Sequence, residues 1–367
     1  MVTTSLVGQE RTDAAIVRAA ARPVHAYLVT GPAGSGAEEV ARALAARLIG
    51  ATDERGLGLV ARGVHPDVVE FEPTGVQYRV TEDVRERIIP EATRAPIEGE
   101  RKVLVVHEAE RLRGAHNEPA NALLKTLEEP PPRTTIVLVT AQPDDLLPTI
   151  RSRCQRIDLD PVSTTALADA LVADGIDPKV ARRAAALSGG QLARARAFAG
   201  PLAALRAAVA SVPARVDGTG ATVAALATEL DSVVSDAAES VTRRHEDELV
   251  EFDADMERHG YEPREAARLR RRLVQRHERE ARRARTSLLL EGVTAIESVY
   301  RDALASPAPA RNDDVEVPSV GPRDCVDALE RCRVAREAFL VQEKGLVRIQ
   351  HLLLSLPEPG SAPRGVR

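Results

Sequence analysis

His25-Ala26-Tyr27-Leu28-Val29-Thr30-Gly31-Pro32-Ala33-Gly34-Ser35-Gly36-Ala37-Glu38-Glu39-Val40 decides how the rest of the chain is read. Tyr27 to Thr30 is a short apolar run that reads as a buried strand, Gly31 to Gly36 a glycine-rich turn, and Glu38 to Ile49 an Ala-rich helix. Strand, glycine turn and helix form the frame of a phosphate-binding loop, whose backbone N–H groups cradle phosphates. In a working loop a lysine after the last glycine reaches the β- and γ-phosphates, and the next Ser or Thr holds Mg²⁺. Ala37 and Glu38 occupy those two positions here. Glu38 also places a negative charge at the electropositive end of a helix, where phosphates would sit. Gly31, Pro32, Gly34, Gly36, Ala37 and Glu38 are therefore read as a nucleotide-site scaffold that no longer does nucleotide chemistry. The plainer alternative is a tight turn that only joins strand to helix.

Working outward, Val68 to Phe71, Val103 to Val106, Thr135 to Thr140 and Gln155 to Leu159 read as further strands, with helices between them. Continuous apolar runs such as Val103-Leu104-Val105-Val106 belong to parallel strands covered on both faces. The alternation predicts an α/β fold with a parallel sheet and right-handed crossovers. Thr81-Glu82-Asp83 reads as a helix start, Asn117 to Glu128 as a helix ended by Pro130, and Gly50 to Gly63 as a loop. Beyond Pro161 strand signals vanish, and Ser163–Asp174, Pro178–Leu187 and Gln191–Ala199 read as three short helices. Everything after Pro201 reads as helical, apart from a proline-rich linker at Ser306 to Pro322 and a disordered tail at 357–367.

The second chemical position is the end of the strand Val103–Val106, which runs into His107-Glu108. ATPases built on this frame usually carry two acids there, one for Mg²⁺ and one to polarise the attacking water. His107 stands first, and neutral imidazole is a poor ligand for hard Mg²⁺. Glu108 keeps the second position, with pairing to Arg111 or Arg113 as its plainer role. Both sites have lost their cation or phosphate chemistry, so hydrolysis by this chain is not expected.

Composition narrows the field. Fifty basic and 55 acidic residues leave a net charge of −5, so no global basic field demands nucleic acid. Three scattered cysteines, Cys154, Cys325 and Cys332, argue against a disulfide framework and a Cys-based zinc site. Aromatics are 2% and Trp is absent, which leaves little to stack on single-stranded bases. No leader or long apolar span is visible, so the expected location is the cytoplasm, without membrane.

Two further blocks complete a pattern: Asn121-Ala122-Leu123-Leu124-Lys125-Thr126-Leu127-Glu128-Glu129-Pro130-Pro131, and Thr149-Ile150-Arg151-Ser152-Arg153-Cys154. Together with His25-Ala26-Tyr27-Leu28 and Gly31-Pro32, they make the sequence resemble the AAA+ clamp-loader family. Within it the sequence is most similar to the delta-prime branch of bacterial DNA polymerase III. The resemblance is dense over residues 6–160 and weaker over 161–200, where Ser188-Gly189-Gly190 and Arg194 resemble the second sensor region. Tyr300-Arg301-Asp302 and Gly345 to Leu354 resemble the collar loosely.

The resemblance implies an AAA+ module at 1–160 with a degenerate loop, a small helical lid at 161–200 and an all-α collar at 201–356. It implies partners as well: ATPase subunits and a delta subunit in a five-subunit ring that places a sliding clamp on primed DNA. Arg153 matches an arginine finger offered in trans to a neighbour's nucleotide, flanked by Ser152 and Cys154. Ion pairing at the surface is the plainer role for Arg153, and small-residue packing for Cys154. No cofactor is expected on this chain. The four-cysteine zinc module that many relatives carry has no counterpart in Gly50–Gly63, and His65 lacks partner ligands. Val347, Ile349, Leu352, Leu353 and Leu354 are candidate ring contacts, with core packing as the alternative.

The chain departs from the family at residues 243–285. Arg243 to Arg258 holds three basic and seven acidic residues, net −4, and Glu262 to Arg285 holds ten Arg and four Glu, net +6. Gly260 and Pro263 mark a turn, so two oppositely charged helices should form a self-pairing antiparallel hairpin. The rival use of the Arg-rich arm is to track a nucleic-acid backbone. A further rival for the whole chain is a gamma/tau-like ATPase motor subunit, which would need Lys at 37, Ser or Thr at 38 and an acid at 107.

Overall fold

The computed structural model describes residues 8–32, 35–75, 77–114, 117–305, 320–341 and 345–357. Gly34, most of the proline-rich linker and nearly all of the tail read above lie outside these residues.

Five strands, β1 (Ala26–Thr30), β2 (Val68–Phe71), β3 (Lys102–Val106), β4 (Thr134–Thr140) and β5 (Gln155–Asp158), form one parallel sheet in the order β2-β3-β4-β1-β5. Alternation within the strands builds two cores. Tyr27, Val29, Val103, Val105, Val137 and Val139 face one side, with Ile16 of α1 (Glu10–Ala21) and Val40 and Leu44 of α2 (Ala37–Leu48). Leu28, Leu104, Val106, Ile136 and Leu138 face the other, with Leu123, Leu127 and Ile150 from the helices that follow β3 and β4. The helices between are α3 (Glu54–Ala61), α4 (Ile89–Ala92), α5 (Glu118–Glu128) and α6 (Pro148–Arg151). Fully burying side chains of this size contributes roughly 1.5–3 kcal/mol each, so the sheet and its two cores dominate the stability of this module.

The stretch expected to be a loop at Gly50–Gly63 is instead helical over Glu54–Ala61. Asp53 caps it by accepting a hydrogen bond from Gly56 N at 3.1 Å, and Leu59 and Val60 are buried. A good cap and two buried apolar residues outweigh the roughly 1 kcal/mol that each glycine costs a helix. The helix read from Thr81 begins at Val80 as a π-type stretch to Ile88 and continues into α4. Its wide turns surround Asp83, fully buried, which accepts from Arg79 N at 2.9 Å and pairs with Arg87 at 2.8 Å.

Three short helices follow β5, α7 (Thr164–Ala173), α8 (Pro178–Leu187) and α9 (Leu192–Ala199). The remainder is α10 (Pro201–Ala210), α11 (Val212–Arg215), α12 (Gly220–Arg258), α13 (Pro263–Ala305), α14 (Pro322–Val341) and α15 (Gly345–Ser355). The described chain divides into two compact units. One comprises residues 1–199 and 251–276, the other 200–250 and 277–367.

In the second unit Leu205, Val209, Leu230, Val293, Ile296, Leu352 and Leu353 are buried together with Tyr300, Cys325 and Cys332. Of the candidate ring contacts, Ile349, Leu352 and Leu353 are core residues, whereas Val347 and Leu354 are exposed. The arms of the hairpin pair there through Arg244–Glu280 at 2.5 Å and Arg285–Asp231 at 3.0 Å. In the first unit the hairpin's end is joined by Arg270–Asp253 at 3.1 Å, with Phe252, Met256, Leu269 and Leu273 buried. The self-pairing expected from the opposite charges is therefore present. No described helix is long and apolar enough to cross a membrane.

Candidate functional site

The glycine turn leaves β1 at Thr30 and enters α2 through Gly36, whose φ of +92° is a left-handed conformation that suits glycine. A Cβ on Gly31 would lie 2.5 Å from Ser35 Oγ, so the turn is packed tightly on itself. α2 then begins with Ala37, Glu38 and Glu39, which offer a phosphate no ammonium or hydroxyl and two carboxylates. The residues at this turn do not fit a magnesium-bound triphosphate.

The cation nearest to the turn along α2 is Arg42, and it is already engaged. Its Nε and Nη2 donate to both carboxylate oxygens of Glu70 on β2, at 2.7 and 2.8 Å. Glu70 Oε2 also lies 2.9 Å from His107 Nε2, and His107 is 1% exposed. Burial alone would raise the Glu70 pKa, but hydrogen bonds and charge from Arg42, then His107, hold it well below the carboxylate range. Burial alone would lower the His107 pKa, but Glu70 raises it above the ordinary histidine value. Where a magnesium-binding acid would stand, a buried Arg–Glu–His chain joins α2, β2 and β3 instead. Glu108 has a left-handed backbone, φ +48°, and pairs with Arg111 at 2.6 Å, the plainer of its two roles. Arg42 and Glu70 were not singled out from the sequence. The only local signal is Arg42 one turn after Glu38, to which it also lies at 4.0 Å.

Ser152, Arg153 and Cys154 lie at the opposite end of the sheet. β5 starts at Gln155, beside Tyr27 near the start of β1, whereas the glycine turn follows Thr30 at its far end. The three steps between Tyr27 and Thr30 amount to about 10 Å. Arg153 is about one-third exposed and follows the short helix α6. Its Nη1 donates to Thr149 O at 2.9 Å, and its Nη2 pairs with Glu128 Oε1 at 2.6 Å. Ser152 Oγ donates to the same Thr149 carbonyl at 3.1 Å, so both side chains cap α6. Cys154 packs against the core, and burial pushes its thiol pKa up to about 12, which keeps it neutral and unreactive. Glu128 and Thr149 hold the arginine; both stand in the quoted blocks, but spacing alone assigned them no role.

His65 is buried and accepts a hydrogen bond from Asp67 N at 3.0 Å. Burial, reinforced by Arg55 and Arg272 against the charge of Asp67, lowers its pKa to about 4. Asp67 itself gathers the N–H groups of Ile97, Glu98 and Gly99 at 2.6–2.7 Å. A strand-flanking structural histidine is what these contacts describe. Among the described residues no cluster of His, Cys, Asp or Glu could hold a metal ion. Arg194 of α9 lies over the ring of Phe198 at 5.1 Å.

Residues 14–163 match the family described as DNA polymerase III, delta subunit. The chain is 38% identical over 142 residues to DNA polymerase III subunit delta prime of Pseudomonas aeruginosa, covering 36% of this chain and 42% of that protein. It is 32% identical over 165 residues to the Bacillus subtilis delta prime subunit, covering 43% and 49%. A Mycobacterium tuberculosis gamma/tau subunit is 36% identical over 160 residues, covering 40% and 27%. The chain thus spans less than half the length of the curated relatives it matches. Among solved structures, a DNA polymerase III gamma subunit-related protein from Thermotoga maritima aligns over 94% of this chain and 97% of its own, at 18% identity and TM-score 0.46. That score falls short of 0.5, and the likeness to DNA polymerase III subunits lies in the sequence matches.

Proposed function

We propose that the chain, which matches the DNA polymerase III delta subunit family over residues 14–163 and is similar there to delta prime subunits, is a non-hydrolysing clamp-loader subunit of the delta-prime kind that lends an arginine to its neighbour. The observation that carries this reading is the separation of Arg153 from the chain's own glycine turn, at opposite ends of one sheet. An arginine so placed has no nucleotide site of its own chain to serve.

The chemistry follows from the two ends. At the turn, Ala37, Glu38 and His107 remove the lysine, hydroxyl and acid that ATP turnover needs, so this chain binds no catalytic magnesium and needs no cofactor. At the other end, the planar, permanently charged guanidinium of Arg153 can stabilise charge building on a γ-phosphate held by an adjacent ATPase subunit. Its hydrogen bond to Thr149 O holds one terminal nitrogen of the fork. Ser152 and Cys154 serve as cap and packing rather than as reacting groups. The wider assembly is read the same way: a cytoplasmic ring with ATPase and delta subunits, acting on a sliding clamp and primed DNA. The gamma/tau-like motor reading loses on residues 37, 38 and 107.

The test is the ATPase rate of the reconstituted loader, with clamp and primed DNA, for wild type and Arg153→Ala. Turnover at the neighbouring site should fall about 10³-fold or more, with assembly unchanged, and Arg153→Lys should not restore it. An unchanged rate in an assembled complex refutes the trans arginine. Failure of the chain to join the complex refutes the subunit assignment.

A further inference from the structure

A cleft of about 390 Å³ lies within the first unit, between the start of α13 and the segment 66–102. Lys102 opens β3, so the cleft sits where the strands begin, three strands along the sheet from β5 and Arg153. Its charged lining consists of Arg94, Lys102, Arg268 and Arg272 against a single carboxylate, Glu91. That carboxylate is fully used: Oε1 lies 2.8 Å from Lys102 Nζ and Oε2 2.6 Å from Arg94 Nη1.

Among the described residues neither of the two arginines of α13 forms an ion pair, although Glu91 and Glu70 act on Arg272 from farther off. Arg272 places Nη1 near the carbonyls of Val64 and His65, at 3.3 and 3.5 Å, which are weak neutral acceptors for a guanidinium. Arg268 has no hydrogen-bond or ion-pair partner among the described residues. Burial, and then the charge of Arg268, lowers the pKa of Arg272 against the opposing charges of Glu91 and Glu70. Four cations gathered in a concave site against one carboxylate leave an excess of positive charge that attracts an anion, and low-dielectric walls strengthen the attraction. Arg264, Arg268 and Arg271 are all exposed and recur at helical spacing along one face of α13. Seven residues of helix cover about 10 Å, the length of about three phosphates along one strand of a duplex. No aromatic ring lines the cleft, which leaves nothing to stack on bases.

We propose that this cleft, with the adjoining arginine row of α13, binds the phosphodiester backbone of duplex DNA without regard to sequence. The contact is direct, belongs to this chain alone and does not depend on the role of Arg153. Regular spacing favours a phosphate backbone over an acidic peptide, whose carboxylates follow no such repeat. Of the opposing acidic arm, Asp253 is taken by Arg270 and Asp255 by Arg62.

The experiment is fluorescence anisotropy of the full chain with a labelled duplex of about 20 base pairs, titrated with salt, for wild type, Arg94→Ala/Arg268→Ala and the control Arg285→Ala. The replaced side chains of the double variant are exposed, and circular dichroism checks its fold. Removing two phosphate contacts should weaken binding at least about tenfold at low salt and reduce the slope of log K against log salt by about 2. The control, whose arginine pairs with Asp231 in the other unit, should bind as wild type does. Equal binding by the double variant, or no binding by wild type, overturns the proposal. Competition by polyglutamate at matched charge as effective as that by unlabelled duplex also overturns it, because the site would then prefer carboxylates.

Discussion

The two ends of the parallel sheet use arginine in opposite ways. At the end where β1 finishes, Arg42 is only 17% exposed, held by two hydrogen bonds to Glu70, and linked through it to the buried His107. At the end where β5 starts, Arg153 is partly exposed and held by one carbonyl and one surface carboxylate. A buried cation needs its partner, because leaving either charge alone in the interior is costly. A surface pair is worth about 1 kcal/mol or less and can be exchanged for another anion. The first arrangement makes a rigid joint; the second leaves a charge available to another molecule.

The sharpest way to break this contrast is Glu70→Ala, which strands Arg42 and His107 together. It should destabilise the folded chain by about 3–5 kcal/mol in urea unfolding. A loss below about 1 kcal/mol would mean that the buried chain is no joint. A second measurement separates burial from function by pH. His65 has a folded-state pKa near 4, below its unfolded value of about 6.5, so the unfolded chain takes up a proton that the folded chain refuses. Stability should therefore fall as pH drops from about 6.5 to 4, by roughly 3 kcal/mol at most from this group. His65→Gln should flatten that limb in thermal melts relative to wild type; an unaltered limb refutes the assignment. The smallest effect is expected at the other end of the sheet. Glu128→Ala should cost about 1 kcal/mol or less. In the assembled loader it should leave ATPase turnover within a few-fold of wild type, and a collapse of turnover would make Glu128 a positioning residue for Arg153.

Local pattern made the sheet legible. Val103–Val106 and Thr135–Thr140 are apolar runs whose strands extend one residue earlier than read, and Asn117–Glu128 is a helix with Glu118 as its first residue. Glu54–Ala61 was illegible because glycines at 56 and 58 hide a capped helix whose stability comes from packing. Arg153 and Ser152 stood out through their block, but Thr149 and Glu128 as their holders did not. The Arg42–Glu70–His107 chain joins positions 28 and 37 residues apart, a relation that periodicity does not carry. The same holds for the hairpin's end. Arg62 pairs with Asp255 at 2.8 Å, and Arg55 stacks on Tyr261 at 4.5 Å, across some 200 residues of sequence.

The strand order has a consequence for synthesis. β1 precedes the other four described strands in the chain, yet its neighbours in the sheet are β4 and β5: Tyr27 aligns with Val137 and Gln155. A growing chain must therefore carry Tyr27-Leu28-Val29 without strand partners while more than a hundred further residues are made. At translation rates of about 5–20 residues per second, that wait is roughly 5–20 s. During it, an apolar segment with two open edges waits for partners from far along the chain, so the central position of β1 ties closure of the sheet to the synthesis of β4 and β5.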